Sequence, residues 1–328
     1  MQTIHLDEAN LRLTVERMLT QALGRPARVI AMTREPSPFA TVFPAEVLSI
    51  SLEGGETPSL FVKHLGSEQA DHPEKQCRDR EVRIYEELLK DDGLPVARYY
   101  GTRWNESTQR REVFLEHIND WNLKYHELDH WFTSARRLAQ FHAHFAAQAE
   151  RLRACDFLLR FDATYLNDWA HRALATVADQ SAELATALER VVCRYERVAQ
   201  ILAGQPVTLV HNDLAPKNVI VDRSCSPART CFIDWEMAGV GCGLLDLVHL
   251  KYGFDPVNDQ KMCTAYCEEL AGTGLLPADP HALQSLFAAC ELHKTLVRLW
   301  RSKVWQKPLD TVGEWVAEAQ QWFSRVRT

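Results

Sequence analysis

The period of the apolar residues changes once along this chain, and that change dictates a two-part fold. From about residue 27 to 118 the apolar positions alternate or run in short β-branched stretches: ARVIAMT, TVFPAEVLSISL, PSLFVKHL, ARYYGTRW and REVFLEHI. Period two is the signature of strands with one buried face. EGGET joins the second stretch to the third and NESTQR the fourth to the fifth, both of hairpin length. Beyond about Asp120 the apolar period lengthens to that of helices, with long ones expected over 131–148, 182–202, 283–303 and 315–326. Only NVIVD and TCFIDW, flanking the turn RSCSPAR, interrupt this as short strands. The expected fold class is α+β: an N-terminal lobe of about five antiparallel strands with one inserted helix (1–118), then a mainly helical C-terminal lobe (119–328).

Two helices are expected in or before the sheet region. Asp7 precedes the stripe Leu11, Val15, Met18, Leu19, Ala22 as an N-cap, and Gly24 stops the helix. After Pro73, the stripe Val82, Tyr85, Leu89 marks a second helix closed by Gly93. The 328 residues suffice for a large core, and 46% hydrophobic with 25% charged residues is globular composition. No apolar run approaches the roughly 18 residues needed to cross a bilayer, and MQTIHLDEAN lacks a leader pattern. The expectation is a cytoplasmic protein. A net charge of -7 argues against a nucleic-acid footprint. Nine cysteines without paired spacing read as free thiols. Cys263 and Cys267 share a helix face, but no second pair completes a metal site.

The chemistry concentrates in LVHNDLAPKNVIVD, residues 209–222, where Asp213 and Asn218 stand in the spacing H-x-D-x-x-x-x-N between two strand-like runs. Phosphoryl transfer asks for a cation on the phosphates, oxygen ligands for magnesium, and a carboxylate that orients the attacking hydroxyl. Each has a candidate, in order. Lys63 lies on the third strand, Glu81 early in the following helix, then Asp213 and Asn218, then Asp234 in FIDWE. An isolated loop Asp is by default a turn residue; the ordered set makes it a functional one.

This set resembles the aminoglycoside phosphotransferase and choline kinase family, which has a two-lobed protein-kinase-like fold. The resemblance runs from about residue 27 to 250 and is carried by HNDLAPKN, IDWEMAGVGCGLLDL and the Leu138, Ala139, His142 signature in RRLAQFHA. It implies a nucleotide-binding N-terminal lobe, a catalytic and substrate-binding C-terminal lobe, and ATP or GTP as donor with Mg2+. Asp213 would orient or deprotonate the acceptor hydroxyl, and Asn218 and Asp234 would bind magnesium. Lys63 would hold the α- and β-phosphates and Glu81 would hold Lys63. Asp246 would brace the catalytic loop. His211 is expected as a buried histidine bonding backbone around that loop, and Lys217 in solvent. The hinge before the lobe boundary, with Glu116, His117 and Ile118, would meet the adenine through its backbone.

There are departures. No G-x-G-x-x-G follows the first strand; TREPSPFATVF stands there, so Ser37, Phe39 and Ala40 would approach the phosphates. Phe61 shares a strand face with Lys63 and stands where the family has a small residue over the adenine. Met237 and Ala238 replace the D-F-G glycine. Between Asp234 and Asp246 only WEMAGVGCGLL intervenes, with no activation loop and no A-P-E, and Asn212 replaces an Arg that reads phosphorylation. The acceptor is therefore a small hydroxylated molecule, aminoglycoside-, choline- or sugar-like, with a nucleotide-binding pseudokinase as the alternative.

Two further features compete. YHELDH, residues 125–130, contains H-E-x-x-H, which on one helix would make His126 and His130 the ligands of a zinc hydrolase. Asp129 instead reads as an N-cap of the helix holding Ala135, Leu138 and Phe141. Near the C-terminus, Lys294, Arg298 and Arg301 fall on one helix face, expected to be solvated. The resemblance puts Trp300, Trp305, Trp315 and Trp322 on helices that wall the acceptor pocket, as cation-π contacts for an ammonium, sugar-stacking rings or plain core.

Overall fold

The computed structural model describes residues 2–38, 43–66, 72–77, 79–91 and 93–327. It divides into two units, Met1–Trp121 with Ile220–Met237, and Asn122–Val219 with Ala238–Thr328. The division is therefore not a single cut in the chain.

The first unit opens with helix α1 (Gln2–Leu23), followed by β1 (Val29–Pro36), β2 (Ala45–Leu52), β3 (Ser59–Leu65), α2 (Asp79–Glu87), β4 (Tyr99–Asn105) and β5 (Arg110–Glu116). The five strands form one sheet in the order β1-β2-β3-β5-β4, antiparallel throughout. Alternation sorts the faces. Leu60 and Val62 of β3 join Leu48, Ile50, Leu52 and Phe114 against Leu11, Val15, Met18 and Leu19 of α1, each buried side chain contributing about 1.5–3 kcal/mol. Phe61 and Lys63 therefore point to the opposite face. Gly101 takes φ 144°, a backbone conformation that favours glycine where β4 meets α1.

Both helices of this unit depart from expectation. Asp7 is interior to α1, because its carboxylate takes tertiary partners, Arg103 and Asn105, each at 3.4 Å. Gly24, at φ 65°, lies just past the helix end. The second helix is shorter than its stripe: a 3-10 turn over Pro73–Gln76 and a break at Cys77 delay α2 to Asp79.

The second unit begins with α3 (Leu128–Ala146), α4 (Ala149–Ala154), β6 (Leu159–Arg160), α5 (Ala163–Ala178), α6 (Ala182–Val192), α7 (Tyr195–Ala203) and β7 (Val207–Val210). Then β8 (Val219–Asp222) and β9 (Arg229–Phe232) pair in a two-stranded sheet; from Ile220 to Met237 the chain belongs to the first unit. The second unit resumes with β10 (Gly239–Cys242), α8 (Leu244–Leu250), α9 (Pro256–Glu269), α10 (Pro280–Arg301) and α11 (Leu309–Arg325). The helix expected over 182–202 is two helices, α6 and α7. Glu127, not Asp129, is the N-cap of α3. The small sheet β6-β10-β7 was not expected. Its central strand, GVGC, has the composition of a loop, yet a Cβ on Gly239 would lie 2.7 Å from Leu159 O and one on Gly241 2.7 Å from Phe161. Close packing requires these glycines.

Helix α10 is the axis of the second unit, packed by α5, α7, α8 and α11. Asp279 caps it, accepting the amide protons of His281 and Ala282. Among the described residues no helix is long and apolar enough to cross a membrane.

Candidate active site

In the first unit, strand alternation aims Lys63 away from α1, and its Nζ lies 2.7 Å from Glu81 Oε2 and 2.8 Å from Asp234 Oδ1. Glu81 comes from the first turn of α2. Asp234, just past β9, is held at φ 70°, and a 3-10 turn, Trp235–Met237, follows it. That turn is tethered to the α2 region: Lys75 pairs with Glu236 at 2.7 Å, and Arg80 donates to the Glu236 carbonyl at 2.8 Å. Burial opposes a charged Lys63, but Asp234, Glu81 and Glu236 outweigh it and hold the ammonium well above its usual range. Burial pushes Glu81 up to about 7 against the pull of Lys63. One ammonium thus stands between two carboxylates, and Asp234, at 29% side-chain exposure against 3% for Glu81, is the open one.

The other first-unit candidates are spread around the sheet. Phe61 is half-buried on the Lys63 face and pairs with Leu115 of β5. Ser37 donates its amide to Ala45 O at 2.8 Å; Phe39 and Ala40 lie outside the described residues. Glu116 accepts two bonds from Arg229 and one from Arg98 N. His117 meets Ser59 through ring and backbone, at 3.2 and 3.3 Å. Ile118 is buried with Ala97 and Cys231.

In the second unit the loop after β7 is suspended from one buried carboxylate. Asp246 accepts His211 N–H at 2.7 Å and Asn212 N–H at 2.8 Å, and contacts His142 Nε2 at 3.3 Å. Tyr266 Oη meets the other His142 nitrogen at 2.7 Å. Asn212 adopts φ 65°, which asparagine tolerates. His211 is fully buried, and its Nδ1 accepts Asp213 N–H at 3.3 Å. Asn218 Nδ2 reaches back to Asp213 O at 2.8 Å and Oδ2 at 3.2 Å. The Asn218 side-chain amide in the second unit and the Asp234 carboxylate in the first each carry hard oxygen donors of the kind magnesium takes.

Four cationic or ring groups bear on Asp213. His249 Nε2 is 3.7 Å from Oδ1, and Lys217 Nζ is 3.5 Å from Oδ2. Burial would raise the Asp213 carboxyl, but His249, Lys217, Lys294 and Arg301 together hold it well below the usual carboxylate range. Burial, with Lys294 next, pushes the His249 imidazole well below its usual range. His249 carried no spacing signal and was missed. The α10 face was misjudged: Arg298 is only 7% exposed, and Lys294 and Arg301 are half-buried. Its spacing was right, but α11 and α8 cover it. Lys217 is exposed, as expected.

The tryptophans are taken by neighbours. Trp300 stacks edge-on against Trp169 at 4.9 Å. Arg298 lies over Tyr252 and Trp315, Arg301 over Trp305, and Arg325 over Trp322. The two histidines of the zinc motif have their ring centroids 5.3 Å apart. His126 is extended and precedes α3, whereas His130 lies within it, so the two are not ligands on one helix face. Among the described residues no third His, Cys, Asp or Glu joins them as a metal site.

Residues 53–271, more than half of the chain, match the profile of the phosphotransferase enzyme family. The chain belongs to that family. Among curated proteins none matches the sequence. Solved structures share the fold at low identity. An aminoglycoside 2′-phosphotransferase in complex with GDP has a TM-score of 0.61 at 12% identity, over 95% of this chain and 97% of that one. A putative aminoglycoside phosphotransferase from Ralstonia eutropha has 0.60 at 14%, over 96% and 98%. A choline kinase from Streptococcus pneumoniae has 0.54 at 15%, over 96% and 99%.

Proposed function

We propose that this member of the phosphotransferase enzyme family transfers the γ-phosphoryl group of ATP, or of GTP, to a hydroxyl of a small molecule in the cytoplasm. The single observation that carries the reading is the Lys63–Glu81–Asp234 cluster, at 2.7 and 2.8 Å, in a chain that also presents a braced, buried Asp213. A lysine fixed between two carboxylates is positioned for phosphates, and a carboxylate of depressed pKa is ionised when the acceptor arrives.

In this reading Lys63 binds the α- and β-phosphates and Glu81, 2.7 Å away, holds its ammonium in place. Phe61 faces the base, the backbone of Glu116, His117 and Ile118 meets the adenine edge, and Ser37 stands at the phosphates. Asp234 and Asn218 would hold magnesium, which supplies charge neutralisation when bound. Asp213 orients the acceptor hydroxyl and takes its proton as the oxygen bonds to phosphorus and the nucleoside diphosphate leaves. Asp246 and His211 hold the loop that carries it.

The test is a panel of hydroxylated metabolites and antibiotics incubated with MgATP and the full chain, read by phosphorus NMR for a new phosphate ester. Ester formation that is lost in Asp213→Asn is expected. Absence of any nucleotide binding would overturn the reading.

A further inference from the structure

The basic face of α10 bears on the acceptor side of Asp213. Lys294, Arg298 and Arg301 are spaced four and three residues apart on one helix and so share a face. Arg298 is neutralised by Glu318 at 2.7 Å. Among the described residues neither Lys294 nor Arg301 has an Asp or Glu within 4.0 Å. The neighbouring acids are committed elsewhere: Glu291 to Lys251, Asp259 to the same lysine, and Asp246 to the loop amides. Helix α8, whose His249 lies 3.7 Å from Asp213, packs on α10, and Lys294 and Arg301 act electrostatically on the Asp213 carboxyl, which also has Lys217 at 3.5 Å.

The ring surfaces speak to the same point. A quaternary ammonium needs an open aromatic face. The rings on and around α10 instead receive guanidinium groups: Arg298 at 4.6 Å over Tyr252 and 5.5 Å over Trp315, and Arg301 at 5.4 Å over Trp305. A cationic acceptor would meet like charge here, whereas an anionic one would supply the missing counter-charge. Desolvation already holds the Lys294 ammonium well below its usual range, so the positive charge is costly without a partner.

We infer that the acceptor is a small hydroxyl compound bearing an anionic group, carboxylate or phosphate, held by Lys294 and Arg301 while Asp213 addresses its hydroxyl. This rests on the kinase reading above and narrows it. On this inference an aminoglycoside or choline is the disfavoured acceptor, because a cation would meet the Arg298 and Arg301 guanidiniums beside Asp213.

The experiment compares acceptors of different charge with the full chain and MgATP: glycerate, glucose 6-phosphate, glycerol, choline and kanamycin, with ester formation followed by phosphorus NMR. Turnover of glycerate or glucose 6-phosphate above the others is expected, and which of the two is used separates carboxylate from phosphate recognition. Lys294→Met and Arg301→Gln should raise the KM for that acceptor roughly 10- to 100-fold, the loss of a charge-assisted hydrogen bond, while Lys303→Gln, an exposed residue paired with Asp179, leaves it unchanged. Preferred turnover of glycerol, choline or kanamycin, or an anionic acceptor whose KM ignores Lys294→Met, overturns the inference. Where no compound is turned over, saturation-transfer NMR with glycerate and inorganic phosphate decides. Binding that disappears in Lys294→Met upholds the anion site and places the failure on the kinase reading; no binding overturns the inference itself. Lys294→Met removes a charge without a counter-ion and should stay folded, which a thermal melt verifies.

Discussion

Replacing Asp246 by Asn separates the brace of the catalytic loop from its chemistry. The carboxylate is fully buried and accepts two backbone N–H groups, from His211 at 2.7 Å and Asn212 at 2.8 Å. An amide of the same shape keeps one oxygen and turns an NH2 toward the second N–H. One charge-assisted bond, about 1.5–3 kcal/mol, is lost, and a buried donor left without an acceptor costs about 1–3 kcal/mol more. The sum, about 2.5–6 kcal/mol, falls on the loop, where Asn212 is held at φ 65°. Hydrogen exchange of the peptide spanning 207–222 reads this directly. The His211 and Asn212 amides should exchange roughly 10²- to 10⁴-fold faster, and kcat should fall with them, since Asp213 N–H hangs on His211. Protection within about threefold of wild type would refute the claim that this carboxylate carries the loop.

Asp213→Asn should bind MgATP with near-normal affinity and lose about 10²- to 10⁴-fold in kcat, as a group felt mainly in the transition state does; a wild-type kcat would count against its role. Asp234→Asn should abolish the magnesium dependence of nucleotide affinity, measured by titration at several magnesium concentrations, and an unchanged dependence would contradict the ligand assignment. His64 tests the first unit alone: burial opposes its charge, but Glu112 and Glu46 raise its pKa to about 9 from 6.5. A raised folded pKa means stability that is full below about pH 6.5 and is lost as the pH climbs through 9. Denaturant melts should show about 1–3 kcal/mol lost across that window, and His64→Gln should flatten the slope.

Legibility followed the range of the interactions. Alternation along β3 separates Leu60 and Val62 from Phe61 and Lys63, so the face carrying the lysine could be read from spacing alone. The loop from His211 to Asn218 closes on itself through Asn218 Nδ2 and Asp213 O, five residues apart, and a local closure leaves a local pattern. Long-range pairings leave none. Nothing near residue 230 announces that Phe232 donates to Pro95 O at 2.7 Å and returns 220–237 to the first unit. Strand β10 reads as a loop because its glycines answer to Phe161, far away in sequence. Asp7 carried a capping signal that Arg103 and Asn105 overrode.

The α10 face marks the same limit in electrostatic form. Helical spacing states which residues share a face, but whether that face meets water depends on what packs over it. Once Arg298 is buried beneath Glu318, Tyr252 and Trp315, the charges beside it stop being solubility devices and acquire a cost. The two units then carry imbalances of opposite sign. In the first, one ammonium serves two carboxylates, a surplus of negative charge that a divalent cation relieves. In the second, Asp213 faces Lys217, Lys294 and Arg301, a surplus of positive charge that an anion relieves. Each imbalance costs stability where it stands; on the proposed kinase reading a divalent cation would relieve the first and an anionic acceptor the second.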